Sequence, residues 1–154
     1  MPRARSVVAI FLLSIAAAFA SSLVIAQAQT GPALVVTDAW LRKPPGVDAA
    51  AVYFTLKNPG AKPVTVISVT SLIATHVMIH ETATVDGMSR MRMKEKIVIP
   101  AGQSVAFAPE GLHVMLNGFK YNVAVGDTVT LSLKLEGGGQ VNVPAIVRPL
   151  DTTK

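Results

Sequence analysis

The sequence predicts an all-β domain of sandwich or barrel type, and three observations carry that expectation. From Ala33 onward, short runs rich in Val, Thr, Ile and Phe are separated by turn residues at intervals of roughly eight to twelve residues. The segment Thr128 to Leu135 alternates without a break, so Val129, Leu131, Leu133 and Leu135 face a core while their polar neighbours face water. No helical period survives past residue 28.

The first element lies outside that domain. Arg3 and Arg5 precede an uncharged apolar run from Val7 to Ala20, and Ala26-Gln27-Ala28 supplies small residues at cleavage spacing, so residues 1–28 are expected to be a secretory signal peptide. Ser21, Ser22 and Gln27 interrupt the apolar run, and no later stretch approaches the ~20 residues of a spanning helix, so no stable membrane span is expected after cleavage. The chain has no cysteine, which excludes a lipid on a mature N-terminal cysteine. Residues 29–154 are then a single domain of 126 residues, long enough to bury a core without disulfides.

The expected strands run, in order, Leu34 to Leu41, Ala50 to Asn58, Val64 to Ser71, His76 to Thr82, Ser89 to Met93, Lys96 to Ile99, Ser104 to Ala108, His113 to Leu116, Thr128 to Leu135 and Val141 to Val147. Turn chemistry separates them at Asn58-Pro59-Gly60, Asp86-Gly87, Pro100-Ala101-Gly102, Pro109-Glu110-Gly111, Gly126-Asp127 and Gly137-Gly138-Gly139. Gln29 to Pro32 and Leu150 to Lys154 are expected to be flexible. Trp40 is expected to anchor the core rather than to serve as a cation-π partner.

Composition narrows the function. Losing Arg3 and Arg5 leaves twelve basic against nine acidic residues, so the net charge falls from +5 to +3. Only Arg90, Arg92, Lys94 and Lys96 cluster, and they alternate with Met and Glu, which does not make a nucleic-acid surface. No nucleophile motif or clustered acid pair suggests an enzyme.

The chemistry on offer is a set of soft or borderline donors. Ten residues separate His80 from Met91, twenty-one separate Met91 from His113, and one separates His113 from Met115. Without cysteine, two imidazoles and two thioethers favour Cu(I) among the biological metals, whereas Zn(II) and Ni(II) sites rarely use thioethers. Four neutral donors leave Cu(I) a site charge of only +1, and Cu(II) would need waters or Glu81 to enter. A blue-copper electron-transfer site is excluded because it requires a thiolate. In a strand, residues two apart share a face, so His113 and Met115 project together, as do His76, Met78 and His80, and Met91 with Met93. Asp86-Gly87 could close a hairpin that brings His80 and Met91 towards one end of the sheet. The bland alternative is that these side chains merely pack, since methionine is a common core filler, and the chain is then a non-metal binding module. His76, Met78, Met88 and Met93 are the weaker candidates, as auxiliary donors or packing.

At these residues the sequence resembles the PCuAC family of periplasmic copper chaperones, whose signature is a His, ten residues, a Met, twenty-one residues, then His-x-Met. His80, Met91, His113 and Met115 meet each interval. The surroundings are similar too: Asp38-Ala39-Trp40 followed by Arg42 and Pro44-Pro45-Gly46, His80-Glu81-Thr82, Asp86 to Met91, Pro100-Ala101-Gly102 and Gly126-Asp127-Thr128. The segment from Trp40 to Pro44-Pro45-Gly46 is one residue tighter than the family pattern, and the tail has no His/Met-rich extension for a second copper. The resemblance spans about residues 34 to 148. It implies a cupredoxin-like (Ig-like) β-sandwich in the periplasm with one Cu(I) at a solvent-near site; a monomer is expected, with a metal-bridged dimer through an exposed Met pair as the alternative. It also implies delivery to a copper acceptor protein, such as cytochrome c oxidase subunit II or a Sco-type protein, with copper storage or tolerance as the alternative. Ligands on strand ends and loops would let donors exchange one at a time.

Overall fold

A computed structural model describes residues 34–150. The expected signal peptide, the segment Gln29 to Pro32 and residues 151–154 of the tail lie outside the described residues. Ten strands and no helix make up the described part: β1 (Val35–Arg42), β2 (Ala49–Lys57), β3 (Val64–Ser71), β4 (Ala74–Val85), β5 (Met88–Met93), β6 (Ile97–Ile99), β7 (Ser104–Phe107), β8 (Leu112–Phe119), β9 (Thr128–Leu135) and β10 (Gln140–Arg148).

The strands hydrogen-bond in the order β5-β4-β8-β7-β2-β1-β10-β9-β3-β6, with β8 also pairing β2. Most neighbours are antiparallel; β1 with β10 and β7 with β8 are parallel. The run of strands folds over so that its inward faces meet in one core. Leu41, Val52, Phe54, Leu56, Val66, Ile99, Val114, Leu116, Leu131, Leu133 and Val143 are almost fully buried there. Each comes from an every-other-residue set, and β9 shows the alternation in full, with Val129, Leu131, Leu133 and Leu135 all buried. Phe54 and Phe107 stack inside at 4.3 Å between ring centroids.

Two strands run further than their apolar pattern. β4 extends from the expected His76–Thr82 to Ala74–Val85, and β8 from His113–Leu116 to Leu112–Phe119. The residues added to β4 beyond Thr82 are exposed and are held by ladder pairing rather than by burial, for example Ala83 opposite Arg90 and Thr84 opposite Ser89, whereas those added to β8 are half-buried. Hydrophobic alternation marks only the half-buried part of a strand, so such extensions carry no signal of their own.

Asp86-Gly87 closes the β4–β5 hairpin as expected. Val85 pairs with Met88 across a two-residue loop in which both turn residues have positive φ, 53° and 74°. That is the primed turn whose twist matches paired strands, and Asp-Gly is among the sequences that adopt it most readily. β5 ends the sheet and all six of its residues are exposed. Arg90 and Arg92 on that edge discourage pairing with another strand.

Trp40 is 4% exposed, but it points away from the main core. A one-residue bulge in β1 between Thr37 and Trp40, with Asp38 at φ 54°, re-aims the strand there. Trp40 lies 4.6 Å from the Tyr53 ring, and the Arg148 guanidinium sits 5.5 Å from its ring centroid. The tryptophan thus anchors a second, outer cluster and is a cation-π partner as well.

Candidate metal centre

The four sequence-predicted donors all belong to β4, β5 and β8, three strands that lie side by side at one end of the sheet. His80 and His113 are direct cross-strand partners, with ring centroids 5.9 Å apart and planes nearly perpendicular. Met115, two residues beyond His113, projects to the same face and pairs with Met78. On the other side of β4, Met91 pairs with Thr82, which puts it one diagonal step from His80. Cross-strand partners share a face, so the pairings gather His80, His113, Met115 and Met91 on the side opposite the core residues Ile79 and Val114. None of the four sits on a loop. The expected strand-end and loop ligands are instead side chains of hydrogen-bonded strands, because the hairpin extends the ladder past the apolar stretch.

His113 is only 6% exposed, and its orientation is fixed from one side. Its Nδ1 lies 3.1 Å from the Gly111 carbonyl oxygen. A carbonyl can only accept, so this contact places the proton on Nδ1 and leaves the Nε2 lone pair available, as is usual for a metal-binding imidazole. The same carbonyl accepts the Thr82 N–H at 3.0 Å, which ties the start of β8 to β4. Glu110, at φ 64°, and the Gly111 N–H to Ala108 carbonyl bond form the tight turn that presents this carbonyl. Tyr53 covers His113 from the β2 side, with 6.3 Å between ring centroids.

His80 differs in its bonding. Its Nδ1 is buried and has no hydrogen-bond partner, an arrangement that costs about 1–3 kcal/mol when nothing fills it. Burial, followed by the nearby His113, lowers the pKa of His80 below the usual histidine value, which favours the neutral ring and its lone pair. A metal ion at this ring would remove a desolvation cost already present. The residues therefore fit a soft monovalent ion: two imidazoles, one oriented and one unsatisfied, beside thioethers. Among the described residues no three His, Cys, Asp or Glu side chains converge on a common point, so an ion held on this face would draw on the methionines as well.

The weaker candidates separate. Met88 pairs with Val85 beside the turn and has the opposite strand parity to Met91, so it leaves the donor face. His76 shares the face but is exposed, opposite Asn117 and two rungs from the His80–His113 pair. Glu81, suggested as an oxygen donor for Cu(II), points to the other face and pairs with Lys94 at 2.8 Å. Adjacent strand residues cannot share a face, so it cannot join His80 without breaking the strand. Met93, expected to share a face with Met91, stands directly opposite His80. Its signal was local: a two-residue loop at Asp86-Gly87 fixes Val85 against Met88 and therefore His80 against Met93. The shelf of Tyr53 and Trp40 had no such signal, because β2 reaches β8 only through the folded sheet.

Fold and donor face together define a PCuAC-like β-sandwich. The apo PCuAC domain of PmoF2 is similar at a TM-score of 0.64 and 27% identity, over 79% of this chain and 94% of that one. The structure described as the copper-bound PCuAC domain from PmoF2 gives 0.62 and 27%, over 77% and 93%. The Cu(I) form of DR1885 from Deinococcus radiodurans gives 0.63 and 34%, over 82% and 85%. The chain belongs to the LpqE-like family, whose model, "Putative lipoprotein LpqE-like", matches residues 34–147. A curated relative, "Putative lipoprotein Lxx21020" of Leifsonia xyli subsp. xyli, is 32% identical over 114 residues, 73% of this chain and 68% of the relative. The word lipoprotein belongs to those names; the 154 residues here contain no cysteine.

Proposed function

We propose that this protein is an extracytoplasmic copper chaperone, without catalytic activity of its own, that binds one Cu(I) through His80, Met91, His113 and Met115 and passes it to an acceptor protein. The observation that carries the reading is the direct cross-strand pairing of His80 with His113, flanked on the same face by Met115 on one side and Met91 on the other. Copper-bound relatives of the same fold support the choice of ion.

The division of the donors suits transfer. The buried, oriented His113 and the half-buried His80 give the ion a fixed inner seat, and the thioether of Met91, 52% exposed, gives it an outer ligand that an acceptor can reach. Release then proceeds by ligand exchange: an incoming donor replaces the exposed thioether first, and the imidazoles give up the ion last. The rigid strands hold the vacated donors in place, so no part of the core has to open. The dinuclear copper centre of cytochrome c oxidase subunit II is the first acceptor to assay, alongside Sco-type proteins, and residues 1–28 are the segment that would direct export to the periplasm.

The test is an anaerobic Cu(I) titration of the protein against a competing chelator. One tight equivalent is expected, and Met91→Leu and Met115→Leu should each weaken it. No tight equivalent, or unchanged affinity in both variants, overturns the ligand assignment.

A further inference from the structure

We infer that Met93 is a fifth copper donor that exchanges with Met91, so that the ion is held by a rotating choice of thioethers at the edge strand. The inference rests on the copper reading above and extends it to a residue outside the four-donor spacing.

The register is the main argument. Met93 stands directly opposite His80, whereas Met91 stands opposite Thr82 and meets His80 only across the diagonal. Directly opposed side chains have Cβ atoms about 4.5–5.5 Å apart and diagonal ones about 7–8 Å, so Met93 begins nearer to the His80 ring than Met91 does. Both point to the donor face, being two residues apart on one strand. Cu(I) takes three or four ligands. His80, His113 and Met115 leave one place, and two thioethers on β5 compete for it.

Packing does not account for Met93. The residue is 59% exposed on a strand whose side chains are all exposed, so it contributes little to the core. Met78, the other methionine on this face, is half-buried opposite Met115 and is held by its neighbours. Met93 is thus the free soft donor beside the proposed site. When Met91 leaves the ion, Met93 enters without a change in charge or coordination number, so the copper stays ligated while an acceptor's donor approaches from the side that Met91 has vacated.

Methionine methyl NMR of the protein labelled with 13C at the methyl carbon tests this during anaerobic addition of one equivalent of Cu(I). The Met91, Met115 and Met93 methyl signals should all shift or broaden, and in Met91→Leu the Met93 shift should grow. In chelator competition, Met91→Leu should lose less than tenfold in affinity, while the double variant with Met93→Leu should lose at least a hundredfold. A Met93 signal that stays still while Met91 and Met115 move, with the double variant no weaker than Met91→Leu, overturns the inference and leaves the four-ligand reading standing. If none of the three signals moves, the copper reading itself fails and this one with it.

Discussion

Among the described residues, two polar side chains, Asn58 and His113, are buried, and their bonding differs. Asn58 is fully satisfied: its Nδ2 donates to the carbonyls of Lys62 and Ile99 at 2.8 and 3.0 Å, and its Oδ1 accepts the Gly60 N–H at 3.0 Å. His113 engages the protein through Nδ1, at the Gly111 carbonyl, and in the proposed function its other nitrogen holds the ion. Opposite consequences follow from replacing them. Asn58→Ala should cost about 2–4 kcal/mol, roughly three hydrogen bonds at their usual net worth, and leave the Cu(I) affinity of the folded protein unchanged. His113→Ala should lower Cu(I) affinity by at least ~100-fold, beyond the range seen for loss of an outer hydrogen-bond partner of a ligand. Urea unfolding and chelator competition on the same two variants would separate the effects, and a His113→Ala protein that still binds copper normally would remove this residue from the site.

At the scale of the element, the β4–β5 hairpin is the piece that sequence reads most fully, and its outer strand β5 buries nothing in the core. Its turn, parity and register all follow from Asp86-Gly87 and the alternation on either side, because a hairpin is a local structure. β5 is entirely exposed, so its pairing rests on ladder hydrogen bonds and the turn. Gly87 has φ 74° with open space around it, which means that a side chain there meets no clash and only backbone strain. Gly87→Val should therefore put roughly 1–3 kcal/mol of strain into the hairpin alone. The unfolding midpoint of the domain should barely move, while amide exchange in β5 accelerates. Cu(I) affinity should drop by roughly fivefold or more as the fraction with β5 docked falls. A variant with faster β5 exchange and undiminished affinity would show that the thioethers of β5 are not ligands.

The whole molecule separates the seat of stability from the seat of chemistry. The core lies between the two inward faces, and the donors stand on an outward face of one of them, so each can be changed without the other. Leu131, fully buried in β9, belongs to the core, and β9 does not adjoin the donor strands in the sheet. Leu131→Ala should destabilise the domain by about 2–5 kcal/mol through lost burial and a residual cavity. Free Cu(I) at a hundred times its dissociation constant should return about 2.7 kcal/mol by binding only the folded state. Thermal unfolding with and without copper checks both numbers, and failure of copper to raise the midpoint would count against a preformed site.

The sequence by itself determined the all-β class, the number of strands, the inward face of β9 and the shared parity of the candidate donors. These follow from a side-chain period of two and from turn residues whose preferences act over a few positions. It also contained the register of the hairpin. Only the tertiary structure decided that β8 lies beside β4, setting His113 against His80 from thirty-three positions away, and that Tyr53 of β2 lies against His113. It also placed the donors within the strands and turned Glu81 away with Lys94. Pairing between distant strands is set by how the assembled faces bury the core, a property of the folded sheet that no single segment carries.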